Sequence, residues 1–162
     1  MAGSTFLPDA SGSTKRPDVI SALGLLTFIN TGLFILIYLV ALFGMMQVAQ
    51  LPQDEFAEMI HDAAGRYMPQ EEMFQLDELV RVLHGSGAVL MLIYLLRTVV
   101  RLIGAVGMWR GRKSGFYLYA AAQWLGLFAP HLILPWSMLG VFGPLMTVAI
   151  TAAYGSQLKR MS

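Results

Sequence analysis

Two arginines stand in the stretch YLLRTVVRLIG, Tyr94 to Gly104, among residues that carry no other charge. Their spacing, i and i+4, puts Arg97 and Arg101 on one helical face. A charge at the bilayer centre costs at least ~2.5–3.5 kcal/mol on insertion scales. A membrane helix that carries such a pair turns it inward, or lets it snorkel to the headgroups. None of the four long apolar runs of the chain contains Asp or Glu, so no intramembrane salt bridge is on offer. Neutral polar residues do align with the pair. Counted from one end of each run, Arg101, Gln123 and Thr151 lie at about the same depth, and Asn30, Arg97 and Thr147 about four residues deeper. At ~1.5 Å per residue these are layers near 12 and 18 Å. A cluster of Arg97, Arg101, Asn30 and Gln123 without a carboxylate suits an anionic ligand, a lipid headgroup or a buried partner. Arg97 is expected to face the bundle, within reach of Asn30, Gln123 or Thr147, with Arg101 closer to the headgroups. The competing expectation is simpler: Arg101 at the headgroups and Arg97 snorkelling towards them.

Other chemistry is sparser. His84 and His131 fall near the far ends of neighbouring runs, where two imidazoles could ligate a haem or a metal and where polar interface residues are also common. His61 with Glu58 and Asp62 forms an i, i+3, i+4 cluster that reads as a solvated face rather than a metal site. GMWRGRKS, Gly107 to Ser114, lacks the glycine spacing, the GK pair and the preceding strand of a phosphate loop. No nucleophile elbow, catalytic triad or acid–base carboxylate pair is present. With no cysteine, thiolate chemistry and disulfides are excluded. No cofactor and no metal is expected.

The elements that must position these residues are membrane helices. Charged residues make up 13% of the 162 and hydrophobic ones 56%, against about 25% charged in soluble domains. A soluble fold this small could not hide so much apolar surface. The apolar runs predict spans over about 19–46, 80–109, 116–134 and 138–158. Residues 1–17, rich in Gly, Ser, Thr and Pro, read as a mobile tail without packed structure. The outer loop, 47–79, carries eight of the ten acidic residues. Within it Phe56, Met59, Ile60, Ala63, Ala64 and Tyr67 form one apolar stripe, which predicts a short amphipathic helix on the membrane or capping the bundle. Pro69 can start a helix that runs through QEEMFQLDELV into the second span.

Basic residues orient the chain. Lys15, Arg16, Arg110, Arg112, Lys113, Lys159 and Arg160 fall on one side of a four-span arrangement, and Arg66 and Arg81 on the other. The positive-inside rule places both termini in the cytoplasm of a plasma (inner) membrane protein. Trp109, Trp136, Tyr117 and Tyr119 are expected at the interfaces. The small-residue pairs Ala122/Gly126, Ala149/Ala153 and Gly140/Gly143 are expected to let helices approach closely.

The hairpin GMWRGRKSGFYLYAAAQ, with the ending YGSQLKRM, resembles small uncharacterised four-span bacterial membrane proteins with a basic W-x-x-x-K-x-G-F-Y-L-Y turn between the second and third helices. The resemblance covers the C-terminal half and implies topology, not a reaction. The sequence therefore predicts an all-α, four-transmembrane-helix bundle with an amphipathic extracytoplasmic segment. Its expected role is that of a non-enzymatic accessory or scaffold protein beside another membrane protein. The alternative is a protein that binds or transports an anionic ligand or anionic lipid through the inner polar layer around Arg97. Nucleic acid is not an expected partner, because the basic residues only mark one side of the bilayer.

Overall fold

The computed structural model describes residues 6–9, 11–64, 67 and 73–162. Among them the chain is helical and has no strand. Its main helices are α1 (Asp18–Val48), α2 (Gln53–Ala64), α3 (Met73–Trp109), α4 (Lys113–Phe128) and α5 (Phe142–Gly155). Two stretches are long and apolar enough to cross a membrane: α1, with 31 residues, and Leu76–Trp109 of α3, with 34. At 1.5 Å per residue both exceed the ~30 Å of hydrocarbon.

The third and fourth predicted spans are shorter helices than the sequence suggested. α4 has 16 residues and α5 has 14. α4 stops at Phe128 because Pro130 follows. Proline has no N–H to donate and disfavours the helical backbone in the residue before it. The chain continues as a 3-10 turn over Ala129–Leu132, and a second one spans Trp136–Leu139. Gly140 then adopts φ +61° and redirects the chain into α5. Its absent side chain serves that turn and not helix packing, since a Cβ there would meet nothing within 4 Å.

α1 and α3 lie antiparallel along most of their length. Met45 packs on Gly87, Tyr38 stacks on Tyr94 with centroids 5.4 Å apart, and Phe28 meets Trp109 edge-on. The α3–α4 hairpin is closer still. A Cβ on Gly115 would lie 2.5–2.7 Å from backbone atoms of Met108, Gly107 and Gly104. Those three glycines bring two helix backbones into direct contact, the small-residue packing of membrane helices.

The packed core sits at the basic end. Phe6, Ile20, Ala105, Met108, Tyr119, Tyr154 and Met161 form it. Tyr119, expected at an interface, is buried there. The N-terminal segment, expected to lack packed structure, is bound to this end from Phe6 onwards. Leu7 N donates to Arg110 O, Arg16 Nε donates to Trp109 O, and the Arg16 guanidinium lies 3.8 Å over the Trp109 ring. Asp9 pairs with Arg160 at 2.7 Å. The Ser11 hydroxyl, the Ser13 and Ser11 amides and Arg160 hold the Asp9 carboxyl below its ordinary range. Ser162 N donates to Gly111 O, and Lys113 N donates to Ser162 O. Composition alone missed this because the anchors are single residues, Phe6 and Asp9, within a polar stretch.

α2 rests on the opposite end of α3. Only Phe56 of its apolar stripe is buried, against His84; Met59, Ala63 and Tyr67 stay exposed. The stripe is therefore shared between α3 and the surroundings. Pro69, Arg66 and the start of QEEMFQLDELV lie outside the described residues.

Candidate functional site

Four helices converge on the two arginines. α3 supplies Arg97 and Arg101, α1 supplies Thr27 and Asn30, α4 supplies Tyr119 and Gln123, and α5 supplies Gly143, Met146 and Thr147. They line a cavity of about 400 Å³ that is open on one side. Arg97 Nη2 donates to Gln123 Oε1 at 3.1 Å, and Gln123 Nε2 donates to the Tyr119 hydroxyl at 3.4 Å. Arg101 Nη2 donates to Asn30 Oδ1 at 2.5 Å. Thr27 Oγ1 and the Tyr154 hydroxyl share a hydrogen bond of 2.9 Å. The sequence grouped Arg97 with Asn30 and Arg101 with Gln123 by depth. The structure brings the same four residues together: Arg97 takes Gln123, one of the partners expected for it, and Arg101 takes Asn30 from the other layer.

Helix register explains the pairing. In the antiparallel α1–α3 pair, Met45 beside Gly87 and Tyr38 on Tyr94 bring Asn30 to the level of Arg101. Arg101 therefore meets Asn30, which is exposed, on the cavity lining. Arg97 takes the other path because of Gly126. A Cβ on Gly126 would lie 1.8 Å from Arg97 Nε and 2.1 Å from its Cδ. The glycine leaves a notch in α4 in which the arginine stem lies flat, reaching Gln123 about one turn away. Of the three small-residue pairs, Ala122/Gly126 is buried on both members, and here the pair also seats a charge.

The electrostatics are one-sided. Among the described residues no Asp or Glu lines the cavity, and each arginine has a neutral amide as its partner. A hydrogen bond to a charged group contributes about 1.5–3 kcal/mol, close to the insertion cost of one arginine. The amides thus offset the burial of the guanidiniums without neutralising them. The Nε atoms of both arginines are buried and make no hydrogen bond. Chemically the site is a pair of guanidiniums on one cavity lining, each with one Nη given to a neutral amide; guanidiniums are donors suited to phosphate and carboxylate.

The remaining candidates do not join this site. Thr147 lines the cavity, whereas Thr151 lies outside its lining with Oγ1 buried and unbonded. His84 Nε2 bonds Leu51 O at 2.9 Å, and His131 Nδ1 bonds Pro135 O at 3.1 Å while its ring stacks on Trp136. The two imidazoles thus go to separate backbone carbonyls. His61 pairs with Asp77 across α2 and α3 at 2.7 Å. Among the described residues no group of three or more acidic or imidazole side chains could hold a metal. Comparison with protein-family models, with curated proteins and with solved structures gives no match for this chain. Its chemistry therefore has to be read from the cavity itself.

Sequence reasoning missed Thr27, Tyr119, Tyr154 and the notch at Gly126. Buried aromatic hydroxyls cannot be told from interface tyrosines by position along a span. The i+3 spacing of Gln123 and Gly126 was a usable signal, because it puts a hydrogen-bond acceptor and a gap side by side on one helical face.

Proposed function

We propose that this chain is a four-span membrane protein, with both termini in the cytoplasm, that holds an anionic ligand between α1, α3, α4 and α5. The observation that carries this reading is the pair Arg97 and Arg101, bonded to the neutral amides of Gln123 and Asn30 beside a cavity that has no carboxylate among its described lining residues. The four-span topology is supported by the seven basic residues that gather at one end. The 3-10 turn after α4 supports it too. At ~2.0 Å per residue, Ala129–Leu132 follows α4 directly and lengthens it towards the hydrocarbon thickness. A plasma (inner) membrane is the setting in which that charge asymmetry acts.

Native mass spectrometry of the protein released from mild detergent tests the reading. A small anionic molecule retained at one per chain in the wild type, and lost in Arg97→Gln and Arg101→Gln, is the expected result. A stoichiometric protein partner that survives both substitutions would instead support the accessory role. Retention of nothing by any of the three forms would overturn the anion site.

A further inference from the structure

We infer that the anion arrives on a membrane amphiphile, a glycerophospholipid with a negatively charged phosphate headgroup, which enters the cavity sideways between α1 and α5. This rests on the anion-site reading and adds the source of the ligand and its route.

The route from the aqueous side at the basic end is closed. Ile20, Met108 and Tyr154 are fully buried there, and Phe6 and Met161 are 2% exposed. Tyr119 packs edge-on against Tyr154 with centroids 5.0 Å apart, and Thr27 ties Tyr154 to α1. These groups form a floor between the arginines and the cytoplasmic surface. A hydrated ion would have to unpack the core of the protein to pass.

The side of the cavity is different. α1 and α5 meet at few points, so the wall between them is incomplete. The rim of the opening is apolar and open: Leu26 is 63% exposed and Phe142 76%, with Met146 beside them. Asn30, which receives Arg101, is itself exposed at this mouth. Behind an apolar rim stand two forked cations. That sequence of surfaces matches a molecule with acyl chains on the outside and a phosphate at the inner end.

The test uses the full chain, delipidated in a neutral detergent. It is titrated separately with dioleoyl phosphatidylglycerol, with dioleoyl phosphatidylcholine and with inorganic phosphate at constant ionic strength, and Tm is followed. Phosphatidylglycerol should raise Tm saturably, with an apparent Kd at least roughly tenfold tighter than phosphatidylcholine, about 1.4 kcal/mol. Arg97→Gln and Arg101→Gln should each remove that preference. Leu26→Trp, placed on the exposed rim, should leave the lipid-free Tm unchanged and weaken the phosphatidylglycerol response. An unaltered response in Leu26→Trp would overturn the lateral route, and this variant decides the point even where the arginine variants lower the yield. Inorganic phosphate acting as strongly as phosphatidylglycerol, and losing its effect in the arginine variants, would keep the anion site and overturn the lipid source. A phosphatidylglycerol preference that survives both arginine substitutions would assign the effect to the lipid annulus and overturn the inference. No arginine-dependent response to either anion would overturn this inference and the anion site together.

Discussion

Gly126→Ala puts a single methyl group where the stem of Arg97 lies. The new Cβ would stand 1.8 Å from Nε, 2.1 Å from Cδ and 2.5 Å from Cζ, all far inside van der Waals contact. No backbone atom is among these nearest neighbours, so the helices need not separate and the strain falls on one side chain. Arg97 must leave the notch and give up Gln123. The lost charge-assisted hydrogen bond costs about 1.5–3 kcal/mol, and a displaced rotamer about 0.5–1.5 kcal/mol. The higher helix propensity of alanine returns about 1 kcal/mol. The net expectation is a loss of about 2 kcal/mol, or roughly 4–8 °C in Tm for a chain of this size. Gly85→Ala is the control, since a Cβ there meets nothing within 4 Å, and it should be neutral or slightly stabilising. Thermal unfolding in mild detergent reads both. The deciding comparison is made in an Arg97→Ala background, where the methyl group has nothing to displace. There Gly126→Ala should cost nothing, giving a coupling energy close to the whole effect. Equal losses with and without the Arg97 side chain would refute the notch.

Four further expectations follow from other contacts. Gly115→Ala meets only backbone, at 2.5–2.7 Å, so it should open the α3–α4 hairpin and lower Tm by more than Gly126→Ala, at or above the ~3 kcal/mol end of overpacking costs. Asp9 has its pKa lowered in the folded chain, first by the Ser11 hydroxyl and also by Arg160. Its contribution is therefore present above the ordinary value of 3.8 and lost as pH falls through the depressed value. The Tm difference between wild type and Asp9→Asn should be constant near neutrality and close below that pH; a difference that persists in acid would show that the clasp does not depend on the carboxylate. Because the chain has no cysteine, an impermeant thiol reagent applied to intact cells should label Gln53→Cys and spare Ser114→Cys, and the reverse pattern would invert the topology. Phe56→Ala should release α2 from α3 at a cost of about 3 kcal/mol, whereas the exposed Met59→Glu should not; limited proteolysis across 53–64 distinguishes them.

The parts of this fold that were legible in the sequence are those written in long runs. α1 and α3 follow directly from unbroken apolar stretches, and the helix of the outer loop follows from the stripe that begins at Phe56. The ends of α4 and α5 were not legible from hydropathy, because Ala129 to Leu134 and Trp136 to Leu139 are as apolar as the helices beside them. Backbone chemistry at Pro130 and Gly140 sets those boundaries. Arg97, Arg101, Asn30, Gln123 and Thr147 were visible as polar residues at shared depth. Thr27, Tyr119 and the glycine notch in α4 were not, since they become partners only once the helices are in register. The bound N-terminal segment was hidden for a different reason: its anchors become meaningful only once the α3–α4 turn and the residues near Met161 are beside them.

That basic-end core has a consequence for the order of assembly. It joins Phe6 to Met161 and Asp9 to Arg160, contacts that close almost the whole described chain into one loop. Such closures are slow to form and depend on everything between them already being in place. Ile20, Met108 and Tyr154 therefore stay uncovered until α1, α3, α4 and α5 have all come together. A closure of that length is expected to form late in folding. A chain stalled with α5 unplaced would leave those side chains uncovered, where a protease or chaperone that recognises exposed apolar groups could tell it from the finished protein.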